Sequence, residues 1–174
     1  MNLGQFQIYY GDGKGKTTAA LGLALRACGA GLKVFFGQFI KDRPTSEVNA
    51  LQNVPGVTFR QFGSGKGLLL GRERAPEDVA CARAGLSEVE AALTGGEYDV
   101  VIADEMNCAL ACGLLSETEL LDLIDLRPPT VELVFTGRGA TPALIDRADL
   151  ATEMRAVHHY YREKGLPARI GIEL

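Results

Sequence analysis

The chain has 174 residues, 47% of them hydrophobic and 23% charged, with a formal net charge of −4. That composition excludes a disordered chain and suffices for one domain, residues 1–174, with a sizeable core. The acidic balance argues against a nucleic-acid partner, which needs a basic face, and no run approaches the roughly 18 consecutive apolar residues of a membrane span. Met1 to Gln7 lack the charged-then-apolar layout of a signal peptide, so a cytoplasmic protein is expected.

Strand-like apolar runs alternate with helix-like stretches. Gln5 to Tyr10 reads as a strand, and Thr17 to Cys28 as an Ala- and Leu-rich helix stopped by Gly29 and Gly31. Lys33 to Ile40 is a second strand, Ser46 to Gln52 a short helix with Ser46 as cap, and Val57 to Phe62 a third strand. Glycines interrupt Gly63 to Pro76, which reads as a loop. Glu77 to Leu93 has helical periodicity, and Asp99 to Asp104 is a compact apolar strand. Ser116 and Glu119 make a capping-box pattern at the start of a helix reaching Ile124. Thr130 to Thr136 is a strand and Pro142 to Ala148 a short helix capped by Thr141. The tail from Leu150 is expected to hold one or two further strands. Continuous apolar strands such as Val100-Val101-Ile102-Ala103 are the habit of a parallel sheet buried on both faces. The expected fold is α/β: a three-layer, P-loop NTPase-like domain with a mainly parallel central sheet.

Gly11-Asp12-Gly13-Lys14-Gly15-Lys16-Thr17-Thr18 follows the first strand and opens the first helix. Glycines let successive backbone N–H groups turn inward on an anion, and the helix N-terminus adds partial positive charge. In this pattern Lys16 serves the outer phosphates and Thr17 offers a hydroxyl to Mg²⁺. The spacing is one residue short of the usual P-loop, because Tyr10 stands where the first glycine would be. The strand Asp99 to Asp104 ends in two carboxylates, Asp104 and Glu105, which suit a Mg²⁺ held on a triphosphate; such a strand is expected to lie beside the P-loop strand. Thr136-Gly137-Arg138-Gly139 follows another strand, so Arg138 belongs on the same edge, either contacting phosphate or ribose or facing water from a turn.

These elements together resemble the P-loop-type ATP:corrinoid adenosyltransferases. The resemblance runs through Gly11 to Thr18, Gln38-Phe39-Ile40-Lys41, Asp104-Glu105 with Asn107, and Thr136 to Gly139. It continues through Asp149 to Arg155, Val157-His158-His159-Tyr160-Tyr161 and Gly171-Ile172-Glu173. It implies transfer of the 5′-deoxyadenosyl group of ATP to reduced cobalt in a corrin, with tripolyphosphate leaving, in adenosylcobalamin synthesis or salvage. It also implies Mg²⁺, a homodimer, a reductase supplying Co(I), and ATP set with its γ-phosphate deep in the loop. Lys16, Thr17 and Glu105 are then the catalytic candidates. An ordinary P-loop ATPase or kinase, and a non-catalytic ATP- or corrinoid-binding module, are the alternative readings.

The corrin side departs from the family pattern. Better-studied members carry a Gly-Phe-Thr-Trp stretch after the third strand. This chain has no tryptophan and reads Gly63-Ser64-Gly65-Lys66-Gly67-Leu68-Leu69-Leu70 there. Many members also have an N-terminal extension over the active site, whereas the first strand here starts within a few residues of Met1. Phe39, Phe62, Leu68, Leu69 and Asn107 are the candidates for the corrin side, set against ordinary core packing for the phenylalanines. His158 and His159, taken as strand neighbours facing opposite sides, are read as structural or phosphate-adjacent rather than as cobalt ligands. Cys28, Cys81, Cys108 and Cys112 lack a zinc spacing and are read as small buried hydrophobes.

Overall fold

A computed structural model describes residues 3–41, 45–65 and 73–173. Strands β1 (Phe6–Tyr10), β2 (Val34–Phe39), β3 (Val57–Phe62), β4 (Val100–Asp104), β5 (Glu132–Thr136) and β6 (Leu150–Glu153) form one sheet in the order β3-β2-β4-β5-β1-β6. Every pairing is parallel. The helices are α1 (Lys16–Gly29), α2 (Ser46–Leu51), α3 (Pro76–Thr94), α4 (Met106–Ala111), α5 (Glu117–Asp125), α6 (Pro142–Arg147) and α7 (Tyr160–Lys164).

The strand sequences explain the layering. Every residue of β2 and β4 is buried. Strands apolar on both faces need cover on both faces, and crossover helices provide it. Alternate residues of β4 serve different layers. Val100 and Ile102 pack with Tyr9, Phe36 and Val134 against Ala20, Ala24 and Ala27 of α1. Val101 and Ala103 join Phe6, Ile8, Phe35, Leu133 and Phe135 on the other face, against α3, α4, α5 and α6. Each fully buried Leu, Ile or Phe in these layers contributes about 1.5–3 kcal/mol by leaving water. α1 meets the sheet through alanines, so its axis can come close.

The expected three-layer, parallel architecture is what the chain adopts, with three differences. α4 follows Glu105 directly, where no helix was expected. The tail holds an expected strand, β6, but follows it with the short helix α7, which was not expected. The carboxylate-ending strand β4 does not lie beside the loop-bearing strand β1, because β5 is inserted between them. No helix among the described residues is long and apolar enough to cross a membrane.

The capping box read from Ser116 and Glu119 is formed. Ser116 Oγ accepts from Glu119 N at 3.3 Å, and Ser116 N donates to the Glu119 carboxylate at 2.7 Å. Backbone and side-chain hydrogen bonds from Ser116 hold the Glu119 carboxyl below its usual value. Ser116→Ala is expected to lower stability by about 1 kcal/mol, measured by urea unfolding. An unchanged midpoint would show that α5 is held by its buried face alone.

Candidate active site

The carboxyl ends of the parallel strands share one edge, where α/β sheets place their ligands. The glycine-rich loop lies there between β1 and α1, and the end of β6 braces it. Met154 N donates to Tyr10 O at 2.8 Å, and Gly13 N donates to Met154 O at 2.7 Å. A Cβ added at Gly11 would stand 2.5 Å from Met154 O, and one at Gly13 would stand 2.7 Å from it. Gly15 begins α1 at φ +117°, a left-handed conformation open to glycine. Two glycines are therefore required by the neighbour that shapes the loop, and the third by its turn into the helix.

Lys16 folds over this loop, its Nζ donating to Gly11 O at 2.8 Å and Gly13 O at 2.7 Å. Burial first, and the Arg138 guanidinium second, push its ammonium below its ordinary pKa, against the opposing pull of Glu105, Cys108 and Asp12. An anion entering here relieves that cost. Arg138 arrives from the turn after β5, where Gly137 N donates to Tyr9 O at 3.1 Å. Its Nη2 donates to Asp12 O at 3.4 Å, and its Nε stands 3.9 Å from the Asp12 carboxylate. Lys16 and Arg138 thus converge on the carbonyls of the glycine-rich loop.

Asp104 ends β4 and is wholly buried. Gln38 Nε2 donates to one of its oxygens at 2.9 Å, and Thr136 Oγ1 to the other at 2.5 Å. Gln61 Nε2 donates to Gln38 Oε1 at 2.9 Å, and Glu105 N donates to Thr136 Oγ1 at 3.0 Å. The result is a polar chain across β3, β2, β4 and β5. Asp104 lies beneath the site with both oxygens engaged. Glu105 is half-buried at φ +60°, a conformation that costs a non-glycine residue of order 1 kcal/mol or more and clusters at functional sites. Ile40, after β2, has φ +66°, so both described non-glycine residues with positive φ follow neighbouring strands at this edge. Glu105 also shares a hydrogen bond with Cys108, whose thiol is pushed far up by burial first and by Glu105 next. The Cys108 Sγ accepts from Arg138 N at 3.1 Å. All four cysteines are only partly buried, a correction to the sequence expectation. Among the described residues no group of three His, Cys, Asp or Glu side chains is set to hold a metal ion unaided.

The corrin-side candidates fall in the interior. Phe39 and Phe62 are buried, with ring centroids 5.2 Å apart. The Phe62 ring fills space left by two glycines: a Cβ at Gly37 would lie 2.9 Å from it, and one at Gly85 2.5 Å. Asn107 is wholly buried and donates to Gly137 O at 3.3 Å, bracing the turn that carries Arg138, while its Oδ1 has no partner. All three side chains are buried in this structure, which for the phenylalanines is the core packing set against a corrin role in the sequence. Leu68 and Leu69 lie outside the described residues. The strand premise for the histidines is also corrected. His158 precedes α7 and His159 is its N-cap, accepting from Tyr161 N at 3.2 Å. His158 Nδ1 and His159 N both meet the Glu163 carboxylate, at 3.2 and 2.9 Å.

Sequence reasoning missed Gln61 and the backbone of Met154. Gln61 carries no motif, and the Met154 contact is made by a carbonyl, which no side-chain pattern reports.

The chain matches the family described as ATP:corrinoid adenosyltransferase BtuR/CobO/CobP over residues 2–174. It is 34% identical to the corrinoid adenosyltransferase of Pseudomonas aeruginosa, covering 98% of this chain and 83% of that one. It is likewise 34% identical to the corrinoid adenosyltransferase of Escherichia coli K12, over 95% of this chain and 83% of the relative. An uncharacterized protein of Nostoc is 36% identical over 90% of this chain, which spans only 45% of that relative's length. A family match over nearly all the sequence, with the loop, Lys16, Glu105 and Arg138 gathered at one sheet edge, leads to one conclusion: the chain belongs to the ATP:corrinoid adenosyltransferase family.

Proposed function

We propose that the chain, acting as a single P-loop domain, transfers the 5′-deoxyadenosyl group of ATP to the Co(I) centre of a corrinoid. Co(I) attacks the 5′-carbon with its electron pair. The cobalt–carbon bond forms as the C5′–oxygen bond breaks, and that bond's electrons leave on tripolyphosphate. The cobalt is the nucleophile, so the protein's task is to hold the 5′-carbon in line and to stabilise the charge of the departing polyphosphate. The observation that carries this reading is the glycine-rich loop with Lys16 and Arg138 converging on it. In this reading the other N–H groups between Gly11 and Thr18, with Lys16 and Arg138, bind the phosphates, while the Gly13 N–H stays on Met154 O and shapes the loop.

Mg²⁺ fits the residues present. It favours hard oxygen donors, taking one or two carboxylates with substrate phosphates and water. The Thr17 hydroxyl, half-buried at the start of α1, and the Glu105 carboxylate would hold it, with Asp104 supplying negative charge from beneath. Bound there, it would neutralise developing charge on the polyphosphate. Glu105→Gln is expected to raise the Mg²⁺ concentration for half-maximal turnover about tenfold, by loss of one charged ligand; an unchanged metal dependence removes Glu105 from the site. A cytoplasmic homodimer, supplied with Co(I) by a separate reductase, completes the proposal. Its support is the family's chemistry, since Co(I) must be generated by an electron donor.

The deciding experiment incubates the chain with Mg·ATP and chemically reduced cobalamin under anaerobic conditions. Adenosylcobalamin and tripolyphosphate forming together are expected. ADP and phosphate without a corrin product would instead make this an ordinary P-loop ATPase, and ATP binding with no product would favour a binding module.

A further inference from the structure

We infer that Glu173 is a positioning residue for the phosphate loop, holding the segment after α7 against the loop's mouth through Lys14. The inference rests on the nucleotide reading above and extends it to a residue far from the loop in sequence. Residues 161–172 are exposed throughout, yet the Glu173 side chain is only 17% exposed. What covers it is a set of donors from three separate segments. Lys14 Nζ approaches its Oε1 at 3.0 Å and also donates to Ile172 O at 2.7 Å. The Tyr160 hydroxyl donates to the same Oε1. Arg169 N donates to Oε2 at 2.8 Å, and Arg169 Nη2 to Oε1 at 3.1 Å. The Arg169 guanidinium also stands 5.2 Å from the Tyr160 ring centroid. Hydrogen bonds from Arg169 first, and from Tyr160 next, hold the Glu173 carboxyl well below the usual carboxylate range. It is a charged partner throughout the working pH range.

The consequence falls on the loop. Two of the three protons of the Lys14 ammonium go to this segment. Gly13, next in the chain, is held by Met154 O. The loop is thus clamped at successive residues by two parts of the chain that follow β5. A loop with three glycines in five residues otherwise loses much conformational entropy when it orders around a polyphosphate. An isolated exposed ion pair contributes little. Here, however, a backbone amide, a phenol and a guanidinium fix the carboxylate before the lysine meets it. The same arrangement bounds a cleft of about 290 Å³ between Lys14 and residues 155–160, directly beside the loop.

The test is a double-mutant cycle read by Mg·ATP titration of the full chain, with Glu173→Gln, Lys14→Met and the pair together. Glu173→Gln is expected to weaken ATP binding about fivefold in the otherwise unchanged chain, and less than twofold where Lys14 is already methionine. In turnover the same change raises KM for ATP and leaves kcat within about twofold, the mark of lost uniform binding. Tyr160→Phe, which spares the carboxylate, is expected to weaken binding about twofold and only when Lys14 is present. Equal losses in both backgrounds would mean that Glu173 supports the fold and not Lys14, and would overturn the inference alone. A wild-type chain that binds no ATP overturns the adenosyltransferase reading and this inference with it.

Discussion

Replacing Lys16 by alanine is expected to lower kcat/KM for adenosyl transfer by about 10²–10³-fold, the scale of losing one preorganised charge at a developing anion. The geometry explains why this lysine outweighs its neighbours. Its ammonium is half-buried and rests on Gly11 O and Gly13 O, so it sits inside the curve of the loop. Burial and Arg138 both penalise its charged form, and that penalty is relieved when a polyphosphate arrives. The linkage has a definite sign. The folded-state pKa lies below the unfolded one, so the charged lysine destabilises the fold below the folded pKa, and the effect fades as pH rises from the folded value to the unfolded one. Lys16→Ala removes that cost together with two hydrogen bonds to the loop, so its melting temperature should stay close to that of the wild type. Lost activity with retained melting assigns the residue to chemistry. Near wild-type turnover would sink the phosphate-loop role. A further consequence is proton uptake on ATP binding at alkaline pH, seen as a binding enthalpy that varies with the ionisation enthalpy of the buffer.

The sheet was legible because its strands are short apolar runs bounded by glycine and polar residues, as in Val34 to Phe39 and Val100 to Asp104. Strand order was not. Nothing in the composition of β5 says that it enters between β4 and β1; that follows from how the crossovers cover both faces. α4 escaped because Glu105, its N-cap, is in a left-handed conformation without a side-chain cap, and Met106 to Ala111 continues an apolar run. α7 has five residues and no buried side chain, so it has no apolar period to read. The loop was legible because glycine, lysine and threonine must stand at fixed offsets for phosphate. Its supports were not, because they act over long separations. Met154 braces through its backbone, Gln61 enters from β3, and Lys14 meets Glu173 across 159 positions. The corrin side has no such fixed offsets to read, and of its candidates Phe39, Phe62 and Asn107 lie buried, with Phe62 enclosed by Gly37 and Gly85.

Asp104 separates charge from structure within the site, and its two replacements are expected to behave differently. Asp104→Ala leaves the Gln38 amide and the Thr136 hydroxyl without their acceptor in a fully buried place. Unsatisfied buried donors of this kind cost about 1–3 kcal/mol each, so a loss of about 3 kcal/mol in unfolding free energy is expected. Asp104→Asn can keep the chain of bonds. Its amide oxygen accepts from Thr136 Oγ1, and its NH₂ donates to Gln38 once the Gln38 and Gln61 amides turn over, so the order of donors reverses along β2 and β3. Stability should then stay within about 1 kcal/mol of the wild type, while the buried negative charge behind Glu105 is gone. If that charge helps to hold Mg²⁺ on the polyphosphate, Asp104→Asn must lose turnover by about tenfold or more at limiting Mg²⁺ and recover at high Mg²⁺. Urea unfolding and a Mg²⁺ titration of the two variants separate these effects. An asparagine variant as unstable as the alanine variant would show that the carboxylate is needed by the network itself. An asparagine variant with unaltered stability and unaltered metal dependence would leave Glu105 and Thr17 as the protein's only share in binding Mg²⁺.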